Sequence, residues 1–266
     1  MLNDIIKQQK IDIIIDTHLH FGKLSSLNVP SGSDDDIIKC LKKYNVSKAV
    51  FSHHYALSSV EFGFEKTIEV LNKYKGFLYT YLVFNPNFPK KSIEHIKKYI
   101  NFEGVVGIKI HPSWHACYPF DEKYKEFWNY ANENQLIILT HSWNPNVPNK
   151  AQKFSDPFFF TDIAAEYPNV KIILAHAGGR GSYLYKVIDI VKNNKNIYVD
   201  FSGDIFEPNL IETYVKKLPD SKKLLFGTDM PWVDIRYSLS KILNSNISIE
   251  DKKNILGLNA LKLFNL

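Results

Sequence analysis

The feature that most constrains the fold of this chain is a repeated alternation between short β-branched runs and longer amphipathic segments. Eight apolar runs have the composition of buried strands: IDIIID, KAVFS, FLYTYLVF, VVGIKI, LIILT, VKIILA, NIYVDF and KLLFG. The segments between them, such as FEKTIEVLNKY, have the spacing of helices. Strands that are apolar on both faces and alternate with helices are typical of a parallel sheet. Eight such units predict an α/β fold, a (β/α)8 TIM barrel.

The chain is predicted to form one domain over residues 1–266. This length fits one large barrel, and no linker rich in Pro, Gly or Ser divides the sequence. The segment SLNVPSGS (26–33) is interpreted as the loop after the first strand. An open doubly wound sheet is the alternative arrangement. Its first turn would be rich in glycine, however, and the turn DTHLHFG is not.

Composition excludes several classes of partner. The net charge of +5 comes from scattered lysines, and Arg180 and Arg236 are the only arginines, so nucleic acid is not predicted as a partner. Cys40 and Cys117 show no CxxC spacing, which fits a reducing compartment. No leader sequence or apolar stretch of bilayer length is found, so we predict a cytoplasmic protein without membrane contact. A small-molecule substrate is the expected partner, and a homo-oligomeric state stays open.

The first strand candidate ends in polar residues. Successive side chains of a strand alternate between faces, so Asp16, His18 and His20 are expected to project to the same side. Two imidazoles one pleat apart can bind a single metal ion. Taken alone, the segment is more often explained by ordinary histidines that have found hydrogen-bond partners.

The same kind of residue recurs where other strands end. The candidates are His53 and His54 after strand two, Lys109 and His111 in strand four, His141 after strand five, His176 after strand six, and Asp229 after strand eight. Active sites of TIM barrels lie at the carboxyl ends of the strands. Histidines and a carboxylate that converge there are what a hydrolytic metal site needs, so the set predicts one.

These residues lie in motifs that resemble the amidohydrolase superfamily, specifically its amidohydrolase-related branch (amidohydrolase 2) of hydrolases, decarboxylases and hydratases. The motifs are DTHLH (16–20), GIKIHP (107–112), THSW (140–143), AHAGG (175–179) and GTDMPW (227–232). The ending ILGLNALKLF (255–264) also resembles the closing helix of that branch. DxHxH alone is a weak signal, whereas the ordered set spans essentially the whole chain.

The resemblance implies a role for each matching residue. His18, His20 and His141 would ligate the metal, and Asp229 would be a ligand, a proton acceptor, or both. His176 would stand near the substrate, either polarising it or completing a second metal site. Asp229 has an alternative role as the cap of the following helix, because DMPW suits a helix start.

One divalent ion per chain is predicted, with zinc favoured because the ligands are rich in nitrogen. Binuclear members of the superfamily carry a carboxylated lysine at the end of strand four. Lys109 lies near that place, but it is expected to sit too deep to bridge two ions. An uncarboxylated Lys109 would instead supply positive charge beneath the site or pair with Asp16.

The leading functional hypothesis is a metal-dependent hydrolase that cleaves a C–O or C–N bond in a lactone, ester or amide. A decarboxylase or hydratase on the same scaffold is the second hypothesis, since both reactions need the same metal. A TatD-like deoxyribonuclease is a third, although that group typically has a Glu at strand four that GIKIHP lacks. A non-catalytic binding protein is the fourth.

Aromatic and basic residues are predicted to surround the metal. Trp114, Trp143 and Trp232 each follow a strand by a few residues, so they are expected to form an aromatic wall for a small organic substrate, or else to pack loops onto the barrel. His53 is predicted to add a polar contact, with His54 pointing away. Arg180 is predicted to bind an anionic group of the substrate, with a surface salt bridge as the alternative.

Overall fold

The computed structural model describes residues 2–23, 33–203 and 207–266, so the predicted loop over 26–33 lies, apart from Ser33, outside the described residues. Eight strands pair in parallel, in the order β1 to β8, and confirm the predicted (β/α)8 TIM barrel. The strands are β1 (Ile15–Phe21), β2 (Lys48–His53), β3 (Leu78–Val83), β4 (Val105–Ile110), β5 (Ile137–Thr140), β6 (Lys171–Leu174), β7 (Ile197–Asp200) and β8 (Leu224–Leu225).

Helices alternate with the strands and cover the outside of the barrel. In the described ranges they are α1 (Leu2–Gln8), α2 (Asp34–Lys43), α3 (Val60–Lys73), α4 (Pro89–Tyr99), α5 (Pro112–His115), α6 (Lys125–Glu133), α7 (Phe159–Glu166), α8 (Tyr183–Asn193), α9 (Leu210–Lys217), α10 (Ile235–Leu243), α11 (Ile249–Lys253) and α12 (Asn259–Phe264). Short 3-10 turns cover His54–Leu57, Glu122–Tyr124, Lys150–Ser155 and Ala175–Gly178. Over the part of the chain that is described, no helix is long and apolar enough to cross a membrane.

The two edges of the sheet meet between β1 and the segment that follows β8. The Thr17 amide donates to the Phe226 carbonyl at 2.9 Å, and the His20 amide donates to the Met230 carbonyl at 2.7 Å. Between them, the His18 carbonyl accepts from the amide of Asp229 at 2.7 Å. We call this junction the seam. It places the histidines of the first strand beside the carboxylate that follows the last strand.

The barrel interior is apolar in its lower part. Side chains from alternate strand positions pack together there, including Ile15, Val50, Leu139, Ile173 and Leu225. The last helix, α12, closes this end with Ala260, Leu263 and Phe264. Apolar residues one position away along the strands, such as Ile138 and Leu224, pack outward against the helices. The polar residues of interest therefore lie on top of a dry, packed floor.

The first strand does not keep the simple alternation that its sequence predicts. Its pairing with β2 shifts register between Asp16 and Leu19. Ile15 packs in the interior whereas Leu19 packs in the outer core, so the alternation slips between them. The Asp16 carboxylate accepts from the amide of His18 at 3.1 Å and from the hydroxyl of Thr228 at 2.6 Å. Asp16 therefore forms hydrogen bonds across the seam, while His18 and His20 face the site.

Candidate metal centre

Three side chains converge at the seam with the spacing of metal ligands. His20 Nε2 lies 3.2 Å from Asp229 Oδ1, and His18 Nε2 lies 3.8 Å from the same oxygen. One ligand atom from each residue falls within 4.8 Å of the other two. Both histidines are buried, and 17% of the Asp229 side chain is exposed, toward the cavity that it lines. This set can hold a metal ion and leave one side of it open to a ligand from the cavity.

The backbone of Asp229 aims its side chain at the histidines. Its φ of 63° lies in the left-handed region, which Asp tolerates better than most residues. The helix that follows, α10, is capped by Asp234, whose carboxylate accepts from the amide of Arg236 at 2.8 Å. The structure therefore assigns the cap to Asp234 and leaves Asp229 at the metal site.

The outer nitrogens of both histidines are held by acceptors. His18 Nδ1 donates to Asp200 Oδ2 at 3.0 Å, and His20 Nδ1 donates to the carbonyl of Ser52 at 3.2 Å. Such partners fix the ring and direct the other nitrogen, Nε2, to a metal. Burial lowers the pKa of His20 to about 3 and that of His18 well below its usual value, so both rings are neutral at pH 7. The donor set thus fits a divalent ion.

A second buried group lies directly behind the first. His176, Asp200 and His18 bring ligand-type atoms within 4.8 Å of one another, and Ser202 lies among them. The Asp200–Ser202 pair was not predicted from the sequence. Its signal was present, because NIYVDFS ends a strand in polar residues as the other site motifs do.

Lys109 supplies a buried cation on the cavity floor. Its ammonium lies 3.4 Å from His18 Nε2, and only 1% of the residue is exposed. Burial lowers the pKa of Lys109 to about 8, against the opposing influence of Asp200 and Asp229. The oxygens of Asp16 bond to Thr228 and to the His18 amide, so the suggested pairing of Lys109 with Asp16 is not what the structure shows.

His141 lies on the opposite side of the mouth from the seam. Its Nε2 is 3.1 Å from Gln152 Oε1, and its ring stacks on that of His111 with centroids 4.2 Å apart. It does not belong to the group formed by His18, His20 and Asp229. The ligand role of His141 stays a prediction.

The polar layer opens into a cavity of about 540 Å³. Trp114, Trp143 and Trp232 all line it, as the sequence predicts. The other lining residues are His18, His20, His54, Leu57, Lys109, His111, Ser113, His141, Asn149, Ala151, Gln152, His176, Asp229 and Val233. A space of this size with aromatic walls and a few convergent polar groups is typical of a small-molecule site.

The structure places the neighbours His53 and His54 in the reverse of their predicted orientations. His53 Nδ1 accepts from the Tyr55 amide at 3.2 Å, because His53 caps the 3-10 turn that begins at the next residue. His54 lines the cavity and stacks on His20 with centroids 4.5 Å apart. Its Nε2 accepts from the indole N–H of Trp232 at 3.3 Å. The turn breaks the strand alternation on which the prediction relied.

Arg180 lies outside the lining of the cavity among the residues described. Its side chain is exposed, and its guanidinium carbon lies 5.9 Å from the ring centroid of Trp143. Its link to the site that the structure shows is therefore through Trp143, which lines the cavity. Its predicted role in binding a substrate anion stays a prediction.

Comparison with known proteins gives a family and a set of similar folds. The family model described as "Amidohydrolase" matches residues 15–266. A search of curated proteins found no match. A 2,6-dihydroxybenzoate decarboxylase from Rhizobium is 17% identical with a TM-score of 0.71, and the match covers 96% of this chain and 98% of that chain.

Two further solved structures are similar and contain manganese. A dihydroxybenzoic acid decarboxylase from a Polaromonas species, with manganese and the inhibitor 2-nitroresorcinol, is 16% identical with a TM-score of 0.73, covering 96% of this chain and 97% of that one. The 5-carboxyvanillate decarboxylase of Novosphingobium aromaticivorans, with manganese and 4-hydroxy-3-methoxy-5-nitrobenzoic acid, is 15% identical with a TM-score of 0.73, covering 96% of each chain. At these identities the likeness is one of fold.

Proposed function

Because this chain belongs to the amidohydrolase family, we propose that it is a metal-dependent hydrolase that cleaves a C–O or C–N bond in a lactone, ester or amide. The observation that carries the proposal is the convergence of two neutral imidazoles and one carboxylate at the floor of an aromatic cavity. His18 and His20 supply the nitrogens, and Asp229 supplies the oxygen.

His18, His20 and Asp229 would hold one divalent ion, with His141 as a further candidate ligand. A divalent ion bound there would supply Lewis acidity, which lowers the pKa of water toward neutrality and polarises a substrate oxygen. We propose zinc because two or three of the ligands are nitrogens, and manganese, found in two of the similar structures, is the competing choice.

The protein side chains supply the proton transfer and the substrate position. Asp229, whose Oδ1 faces His18 and His20, can accept a proton during hydrolysis, because its carboxylate has two oxygens with free lone pairs. His176 faces the same cavity and can exchange a proton or a hydrogen bond with the substrate. Trp114, Trp143 and Trp232 would pack against an apolar, planar part of the substrate.

The test combines metal analysis with a substrate panel. Purified protein is analysed for zinc, manganese and iron, then assayed on lactones, esters and amides before and after metal removal. We expect about one ion per chain and hydrolysis that disappears on chelation and returns with zinc or manganese. Full activity in metal-stripped protein would contradict the proposal.

A second candidate function is decarboxylation of a small unsaturated or aromatic acid. Lys109 favours it, since it is the one cation among the described residues that line the cavity, and it lies beside the metal ligands. A buried ammonium can hold a substrate carboxylate. The test is release of carbon dioxide from aromatic acids. If the wild-type protein shows this release but no lactone hydrolysis, and Lys109→Met loses the release, the second candidate replaces the first.

A further inference from the structure

Asp200 and Ser202 fill the space between the metal ligand His18 and the second cavity histidine, His176. All four residues are buried, with at most 4% of any one exposed. The Ser202 hydroxyl lies 2.9 Å from His18 Nδ1, 3.0 Å from His176 Nδ1 and 2.5 Å from Asp200 Oδ1. One hydroxyl therefore contacts both histidines and the carboxylate at once.

The hydrogen bonds of His18 allow only one tautomer. Its Nδ1 faces Asp200 Oδ2 at 3.0 Å, and an ionised carboxylate can only accept. Its Nε2 faces the Lys109 ammonium at 3.4 Å, and an ammonium can only donate. Both sides of the ring therefore require the proton on Nδ1 and a lone pair on Nε2.

The same reasoning fixes the tautomer of His176. The single hydrogen of the Ser202 hydroxyl is used on Asp200 Oδ1, so the hydroxyl has only lone pairs to offer to the two imidazoles. His176 Nδ1 also lies 3.4 Å from the carbonyl of Ser202, which can only accept. The proton of His176 is thus on Nδ1, and its Nε2 carries a lone pair.

The Asp200 carboxylate is held in a fixed orientation by its own hydrogen bonds. Asp200 Oδ1 accepts from the amides of His176 and Ser202, each at 3.0 Å, as well as from the Ser202 hydroxyl. Three donors on one oxygen leave Oδ2 to His18 alone. Each donor and acceptor of the pair is matched, which is the condition under which a buried polar network orders its members.

We propose that Asp200 and Ser202 are a positioning pair that holds both His18 and His176 in the Nδ1–H tautomer. His18 then offers Nε2 to the metal, and His176 is a proton acceptor rather than a donor in the resting enzyme. Asp200 orients the metal ligand His18, and Ser202 orients His176. The proposal rests on the proposed function only in assigning His18 to the metal.

The direct test reads the tautomers without any assay of activity. Full-length protein labelled with 15N-histidine is studied by NMR, metal-stripped and after addition of zinc, and the two rings are assigned by their loss in His18→Gln and His176→Gln. We expect both to be Nδ1-protonated at pH 7. Detection of a proton on Nε2 of either ring in the metal-stripped protein would overturn the proposal.

Two variants separate the two halves of the pair. In Asp200→Asn, the amide oxygen keeps the three donors, so the NH2 group faces His18 Nδ1 and drives the proton to Nε2. Zinc affinity is then expected to fall about 10- to 100-fold, as for other partners of metal-ligating histidines. In Ser202→Ala, zinc affinity is expected to stay within about threefold, while the His176 tautomers mix and kcat falls roughly 10-fold or more at unchanged KM.

Ser245→Ala is the matched control, because it removes another buried hydroxyl, bonded to the Ile242 carbonyl at 2.7 Å, that does not line the cavity. It should change neither zinc affinity nor the two tautomers. Unchanged zinc affinity and tautomers in folded Asp200→Asn would contradict the proposal, and if that variant does not fold, the wild-type spectra decide. Wild-type protein with the expected tautomers but no hydrolysis would contradict only the proposed function.

Discussion

The two sides of the barrel mouth are built differently. The seam side, formed by β1 and the segment that follows β8, carries His18, His20 and Asp229 on backbone that is hydrogen-bonded across the seam. The loop side, formed by the segments after β4 and β5, carries His111, His141 and the 3-10 turn Lys150–Ser155. The rings of His111 and His141 stack with centroids 4.2 Å apart, and the ring of His141 lies 5.0 Å from that of His176. His141 adjoins β5, and its amide donates to the Ile110 carbonyl at 3.2 Å, but its side chain bonds to Gln152 of the loop.

This difference indicates that the two sides of the mouth have different functions. Atoms on strand ends with fixed second partners can hold an ion to within fractions of an ångström, which metal coordination requires. Loop residues with aromatic and amide side chains, such as Trp114, Trp143 and Gln152, can be exchanged without disturbing the barrel, and they are suited to selecting a substrate. We therefore expect substitutions on the seam side to affect metal and chemistry, and those on the loop side to affect substrate preference.

The largest effect is expected for His18→Ala and His20→Ala. Each removes one of two nitrogens that converge with Asp229, so zinc content should fall to near zero and activity by roughly a thousandfold or more. Both variants should stay folded, because the apolar floor below is untouched, although His18→Ala leaves Asp200 Oδ2 without its partner and should lower the thermal midpoint. The measurements are metal analysis and a thermal melt. Full metal stoichiometry in both variants would show that the metal does not bind at the seam.

Asp229→Asn is expected to have the next largest effect. Asn adopts left-handed backbone as readily as Asp, so the φ of 63° should be retained, but an amide cannot accept the proton. We expect kcat to fall about 100- to 10,000-fold, with a loss of unfolding free energy of about 1 kcal/mol or less. Steady-state kinetics and urea unfolding measure the two. Asp234→Ala, which removes the α10 cap, is the control and should lose about 1 kcal/mol of unfolding free energy with kcat nearly unchanged.

His141→Ala tests the comparison from the loop side. Because Nε2 of His141 faces Gln152 at 3.1 Å, we expect zinc affinity to fall only about 10-fold, with full stoichiometry at saturating zinc. Competition with a chelating dye measures the affinity. A loss of metal as complete as that in His18→Ala would make His141 an equal ligand, and the two sides would no longer differ.

Most of the fold was predictable from the sequence because strands buried on both faces have an unmistakable composition. All eight predicted strands are present, and helices cover the predicted segments. The first strand shows the limit, since β1 covers Ile15–Phe21, with the motif inside it, rather than the apolar run that begins at residue 11. The register shift between Asp16 and Leu19 does not change the composition of the strand, so the alternation of residues alone could not predict it.

The candidate site was predictable where a polar residue follows a strand directly, and less so where a turn or a network intervenes. His18, His20 and Asp229 come together as expected. His54 reaches the cavity because a 3-10 turn starts there, and a turn of four residues leaves little trace in composition. Asp200 lies at the end of a strand, as the predicted site residues do, but its position alone did not show its role, which comes from three donors that meet only in the folded chain.

Arg180→Met is expected to have the smallest effect. The guanidinium is exposed, lies 5.9 Å from the ring centroid of Trp143 and does not line the cavity, so solvent and salt screen its charge. We expect KM for an acidic substrate to rise about two- to fivefold, with kcat and metal content unchanged. Arg236→Met is the matched control, since Arg236 is the other arginine and is exposed in an ion pair with Asp234. A rise in KM of roughly 30-fold or more for acidic substrates, with neutral ones unaffected, would show that Arg180 binds the anion. The charge that selects substrates would then lie beside Trp143 as well as at Lys109 on the floor.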